Sequence, residues 1–327
     1  MPSTVTHECF SMDVYDKFSP LLKQRFANYT EYLKIFSNGH DVMFFYNLAN
    51  ILPGKRIRKL GSRAHHENVQ KFFFNLVSEI KIQKLEKNYE IMSFLYGYLC
   101  HFALDSTIHP FVDYRCGIVS RDNKKTFKYQ GEHDEMEAYI DSYFIYTRFK
   151  VIPKHFKVYD YAFKVTKFSK KLENIISETF YKTYEIKNVG IYYTRAVRQM
   201  KNFFRFYRND RTGLKKILYT CLDFVRPKRF KRMKSISYNI DHKVNDYYLN
   251  FNKEEWGSTL NEFERYNASF IELYRKSIDL AVTYINEINK IIYDNENINN
   301  IFKILPDITF SHGVLEEKEK ELRFFEF

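Results

Sequence analysis

The sequence has little of what interrupts, staples or anchors a chain. Ten Gly and seven Pro in 327 residues leave long periodic segments rich in Leu, Ile, Phe, Lys and Glu, and these read as helices. Cys9, Cys100, Cys116 and Cys221 are scattered, with no Cys-x-x-Cys spacing. That excludes a cysteine zinc cage and suits reduced thiols in a reducing compartment. The uncharged run from Ile91 to Leu104 is shorter than the roughly 17 apolar residues needed to span a bilayer. The opening "MPSTVTHECF" lacks the basic start, apolar stretch and small-residue cleavage site of a secretory signal, so a cytoplasmic protein is expected. No repeat of fixed period and no low-complexity linker appears.

What is present is a folding composition: 45% hydrophobic, 28% charged, enough to bury one large core or two smaller ones. Apolar spacing predicts helices over 12–36, 41–51, from about His65, and from Ile91 to about Thr107, where Pro110 disfavours helical backbone at His109. Another holds "HDEMEAYIDSYFIYTRF", and more follow at 168–184, 190–209, 212–224 and 262–292, before the tail "LEEKEKELRFFEF". The expected fold is all-α, a compact multi-helix bundle forming a single domain over 1–327, with Pro153 separating a 1–150 half from a 151–327 half. Trp256 and the many Tyr and Phe are assigned to its core.

Positive charge is concentrated. Between Arg195 and Lys234 stand fourteen Lys and Arg against Asp210 and Asp223, a surplus equal to the net charge of +12 for the whole chain. Here Arg198, Lys201, Arg205 and Arg208 alternate with Phe203, Phe204, Phe206 and Tyr207. The segment suits a solvated helical face, an anionic membrane surface that takes both cations and aromatics, or a nucleic acid.

The stretch "GYLCHFALDSTIHPFVDY" raises the sharper question. It places His101, Asp105 and His109 in the most apolar surroundings of the chain, where a carboxylate is costly unless paired or bound to a cation. Residues four apart share a helix face, so His101 and Asp105 can reach one metal ion. A His-x-x-x-acid pair is common by chance, and His242–Asp246 and His312–Glu316 are read as accidents. Context changes the weight. His109 follows Asp105 by four, His133 and Glu137 repeat the spacing in "GEHDEMEAY", and upstream lie His7, Asp41 and His65 or His66. Nitrogen and oxygen donors from several helices favour hydrolytic zinc. His40 is expected in solvent, and His155, His242 and His312 receive no role.

This ordered set resembles the zinc-dependent phospholipase C family, and "EEWGSTLNEFERYNASFIELYRKSIDLA" resembles the distal helices of its bacterial intracellular members. The resemblance implies one zinc site at Asp41, His65, His101 and Asp105 and a second at His109, His133 and Glu137. His7 would serve a third position that shares Asp105. Two zinc ions are expected, the third depending on how the N-terminus completes it, with Asp41 as ligand or proton acceptor. The implied reaction is hydrolysis of a phospholipid or related phosphodiester by zinc-activated water. The alternatives are a single-strand nuclease with a similar cluster and a non-catalytic, zinc-stapled helical protein that binds a membrane or partner.

Overall fold

The computed structural model describes residues 4–48, 54–120, 123–227, 230, 232–238, 246–323 and 325. Helix accounts for 69% of it. In chain order the helices are α1 (Thr4–Tyr15), α2 (Pro20–Phe26), α3 (Thr30–Phe36), α4 (Gly54–His66), α5 (Val69–Ile82), α6 (Tyr89–Cys116), α7 (Glu132–Phe149), α8 (Val158–Tyr161), α9 (Lys170–Tyr184), α10 (Val189–Phe203), α11 (Leu214–Val225), α12 (Asp246–Leu249), α13 (Phe270–Tyr293) and α14 (Ile301–Ile304). One small antiparallel hairpin pairs β1 (Trp256–Gly257) with β2 (Arg265–Tyr266).

Helix α6 is the axis. The Asn88 side chain accepts the Ile91 N–H at 3.2 Å to start it, and Gly117, at φ +68°, ends it. Residues Ile91–Ser106 are buried without interruption, so neighbours must cover every side of it. Helices α1, α3 and α13 pack against it. The last is launched by a reciprocal capping box between Ser269 and Glu272 and presents Phe270, Leu273, Ile278, Ala281, Ile285 and Ile288 as one buried stripe. Against α3 the approach is close: a Cβ on Gly97 would lie 2.5 Å from Phe36 Cβ and 2.7 Å from its carbonyl carbon.

Helix α1 is held by a carboxylate rather than by its own sequence. Asp141, fully buried in α7, accepts the Thr6 N–H at 2.8 Å, the Thr6 hydroxyl at 2.9 Å and the Val5 N–H at 3.3 Å. It thus satisfies amide donors that the first turn of a helix leaves open. The same carboxylate accepts the Tyr238 hydroxyl at 2.8 Å.

Several element boundaries differ from the spacing-based expectation. The helix expected over 12–36 is three helices, because Ser19 caps a new start at Pro20. Residues Asp41–Phe45 form a 3-10 turn, and the end of the helix expected over 41–51 lies outside the described residues. Helix α6 passes through Pro110 to Cys116. The proline removes one N–H, yet Ile108, Phe111 and Val112 remain buried, and the chain at Gly313 packs directly on the Ser106 carbonyl and the Pro110 ring. Tertiary packing outweighs the local preference. The helix expected over 190–209 finishes as a π turn at Phe204–Arg208, and the first part of 262–292 is the hairpin.

Gly97→Ala should therefore destabilise the bundle, since its methyl meets α3 backbone that cannot swing aside. Urea unfolding of chelated protein is expected to show a loss of roughly 1–3 kcal/mol, against no loss for Ala at an exposed position of α9.

Candidate metal centre

The donors converge from four directions. His7 comes from α1, Asp41 from the 3-10 turn after α3, His65 from the end of α4, and His101 and Asp105 from successive turns of α6. One ligand atom each from His7, Asp41, His101 and Asp105 lies within 4.8 Å of the others, as do atoms of His40, His65 and His101. A second group of the same compactness joins His109 of α6 to His133 and Glu137 of α7.

Asp105 is the pivot of the first group. Its Oδ1 faces His7 Nε2 at 3.2 Å and its Oδ2 faces His101 Nε2 at 3.4 Å. Burial alone would raise its pKa, but the His101, His109 and His7 imidazoles overcome that and hold the carboxyl well below its ordinary value. Asp41 Oδ1 meets His65 Nε2 at 2.7 Å. Asp41 Oδ2 and His101 Nε2 stand 3.7 Å apart, both buried and both without a hydrogen bond. Orphaned buried donor and acceptor atoms aimed at a common point fit a shared cation.

Backbone carbonyls select the imidazole nitrogens. His65 Nδ1 donates to the Gly61 carbonyl at 2.7 Å and His109 Nδ1 to the Phe310 carbonyl at 2.7 Å. Each ring therefore presents Nε2, to Asp41 for His65 and towards Glu137, 3.9 Å away, for His109. His133 Nε2 lies 3.0 Å from Glu137, with its Nδ1 turned towards Asp113 at 3.8 Å. Gly39 makes the approach of α6 to the turn feasible. It adopts φ +50°, and a Cβ there would fall 2.1 Å from the His101 ring.

Both groups border one cleft of about 330 Å³, reached by Asp41, His65, Asp105, His109, His133 and Glu137. His7 and His101 are sealed behind it at 3% and 0% exposure. Burial lowers His101 to about 4, the nearby carboxylates only partly offsetting it. At His109 burial also acts downward, but Asp105, Glu137 and Asp113 prevail and lift the imidazole to about 10. His7 is likewise raised, by Asp105 above all, against its own desolvation.

Sequence reasoning missed several neighbours. His40, expected in solvent, is 1% exposed. Its ring lies edge-on to His65 at 3.9 Å and to His101 at 5.3 Å. It is buried because the turn after α3 tucks beneath Phe310, 4.6 Å away. Burial drives its pKa far down, so it sits there neutral. His312, assigned no role, donates from Nδ1 to the buried Asp113 at 2.6 Å on the cleft wall. His66 turns away from the first group to Glu319 of the tail, at 2.8 Å. His155 is in neither metal group and His242 lies outside the described residues. No local motif marks Phe310, His312 or Glu319, which arrive from nearly two hundred or more residues away.

A family model described as zinc dependent phospholipase C matches residues 6–188. The chain belongs to the zinc-dependent phospholipase C family. No curated protein and no solved structure matches it. The matched span contains all eight residues of the ordered set and stops before α10, so the tail that carries Phe310, His312 and Glu319 lies beyond it.

The basic segment is not uniformly exposed. Arg198 and Arg205 are exposed, whereas Lys201 donates to the Phe163 carbonyl at 2.9 Å. Arg208, expected at the surface, is 3% exposed, stacked 4.2 Å over the Tyr238 ring and attracted to the buried Asp141. The π turn at 204–208 rotates it inward.

Zinc bound at the outer group would displace the proton that Asp105, Glu137 and Asp113 hold on His109. Calorimetric titration of chelated protein at pH 7, in two buffers of different ionisation enthalpy, should show release of one or more protons per chain. Affinity should weaken as pH falls. Asp105→Asn preserves volume but removes the charge that faces three imidazoles. It should lose zinc and lower the melting temperature of protein purified without chelator, whereas unchanged metal content would refute the pivot role.

Proposed function

We propose that this protein is a zinc-dependent phosphodiesterase that cleaves a phospholipid, or a closely related phosphodiester, in the manner of a phospholipase C. The observation that carries the reading is the pair of donor groups sharing one cleft. Asp41, His65 and Asp105 line one side, with His7 and His101 behind them, and His109, His133 and Glu137 line the other. Nitrogen and carboxylate donors without thiolate suit hydrolytic zinc, and the three buried thiols Cys9, Cys100 and Cys116 belong to neither group.

Bound zinc supplies Lewis acidity, which stabilises charge on the phosphoryl oxygens and makes a water acidic near neutral pH. The chain's own part is to hold the donors and to manage the proton. Asp41 borders the cleft with one oxygen fixed by His65 and the other without a hydrogen bond. In this reading the carboxylate, held by His65, either ligates the metal or takes the proton of the attacking water. Asp113 steadies His312 by hydrogen bond and lies beside His133, so the outer wall keeps its shape as substrate enters. Phe44 stacks 5.2 Å from His65 at the cleft, giving the inner wall an apolar surface that excludes bulk water.

Purified protein should contain at least two zinc ions per chain. With zinc supplied, it should release phosphorylated head group from phosphatidylcholine or another phospholipid in preference to cleaving single-stranded DNA. Asp41→Asn should lower kcat by roughly 10²- to 10⁴-fold, the range for loss of a positioned base. A metal content near zero, with His101→Ala and His133→Ala as stable as the parent, would overturn the zinc reading. Preferential cleavage of single-stranded DNA would replace the lipid substrate with a nucleic acid.

A further inference from the structure

Helix α11 is built inside out. Lys216, Tyr219 and Asp223, at helical spacing, form the side that faces the protein. Lys216 Nζ donates to the Lys234 and Ser237 carbonyls at 2.8 and 3.3 Å, and the Tyr219 hydroxyl to the Tyr207 carbonyl at 3.1 Å. Asp223 accepts the Met233 and Lys234 N–H groups at 2.7 and 2.8 Å. With its polar residues used as anchors, the helix points Leu214, Ile217, Leu218, Phe224 and Val225 into solvent, Phe224 at 92% exposure. An amphipathic helix on a globular protein ordinarily buries such a stripe.

The stripe is extended and ringed with positive charge. Phe206 and Tyr207, on the adjoining π turn, are also exposed. Lys215 ties the two pieces together by donating to the Phe206 and Asn209 carbonyls, at 2.7 Å each. Arg205 and Arg211 are exposed beside them, and the Arg205 guanidinium lies 5.4 Å over the Phe206 ring. Apolar side chains flanked by cations are what the boundary between lipid head groups and acyl chains accommodates. Branched aliphatics do not stack on nucleobases, and a second copy would bring like charges face to face.

We infer that α11, with Phe206 and Tyr207, is an interfacial docking helix that seats the protein on an anionic phospholipid bilayer. The helix lies beyond the part of the chain matched to the family. Its platform is also joined to the cleft. Arg232 pairs with Glu132, and Lys234 with Glu135 at 2.6 Å, both in the first turn of α7, which carries His133 and Glu137. Arg232 packs so tightly on Gly131, at the cleft wall, that a Cβ there would lie 2.8 Å from its own. Docking through α11 would therefore tether the start of α7, and with it one wall of the cleft, to the surface that holds the lipid. The inference extends the phospholipid reading but rests on different residues.

Cys221 is the exposed cysteine of the four and provides a native labelling position on α11. Protein labelled there with an environment-sensitive fluorophore should brighten and shift to the blue with vesicles of phosphatidylcholine and phosphatidylserine, and far less with phosphatidylcholine alone. Ile217→Glu/Leu218→Glu/Phe224→Glu should abolish co-sedimentation with the acidic vesicles. Arg205→Gln/Arg211→Gln should weaken it about tenfold or more. These side chains are exposed, so melting temperature and zinc content should match the parent. Hydrolysis of a short-chain, monomeric phospholipid should also survive in every variant. Failure of the parent to bind acidic vesicles, or equal binding by the triple variant, overturns the inference. So does a parent dimer that the triple variant dissolves, since the face would then serve self-association. Vesicle binding without hydrolysis of the monomeric substrate would uphold the docking helix and count against the proposed activity.

Discussion

Two carboxylates held out of water impose the main constraint on this structure. Asp41 and Asp105 are 3% and 6% exposed, within a core lined by aromatic rings. A bare carboxylate in such surroundings is strongly unfavourable, and removing its partner is worse than never having built the pair. Each is therefore met by imidazoles, Asp41 by His65, Asp105 by His7 and His101. The imidazoles are fixed in turn. The Gly61 carbonyl turns His65, and the Phe310 carbonyl turns His109. Asp141 secures the first turn of α1, which places His7. Loosening any of these supports exposes the same uncompensated charge.

The donors are not equivalent in hydration. His101 is fully enclosed, while the side chain of His133 is 32% exposed and that of His109 intermediate between them. Electrostatic interactions strengthen as water is excluded, so the inner group favours firm retention of a cation and the outer group favours exchange with solvent and ligand. Phe310 closes the inner end, 5.3 Å from His101 and 4.6 Å from His40. The cleft is bounded by α7 and the segment that follows α6.

Much of this was legible because helical periodicity links sequence distance to spatial distance. His101 with Asp105, and His133 with Glu137, had to share a face once α6 and α7 were recognised as helices. Asp41 and His7 needed the family's ordered pattern, since neither has a helical partner nearby. His40, Phe310 and His312 were beyond reach for a different reason: their places depend on the C-terminal tail folding back over α6. The contact between His109 and Phe310 joins residues 201 apart. Helix α11 shows a second limit. Its 3.6-residue period was readable, but the same pattern can face inward or outward, and only the anchors at Lys216 and Asp223 decide which.

The first two turns of α7 are where the two departures from ordinary partitioning meet. On one side they send His133 and Glu137 into the cleft, among buried charges. On the other they send Glu132 and Glu135 to Arg232 and Lys234, beneath a helix whose apolar face is outside. Glycine at 131, with φ +88°, lets the chain enter the helix at an angle closed to other residues and lets the Arg232 side chain press against it. A bundle that kept its charges outside and its leucines inside would have no need of this junction. Here the start of one helix holds His133 and Glu137 on one face and the ion pairs to Arg232 and Lys234 on the other, so the candidate metal donors and the cationic platform share a single stretch of backbone.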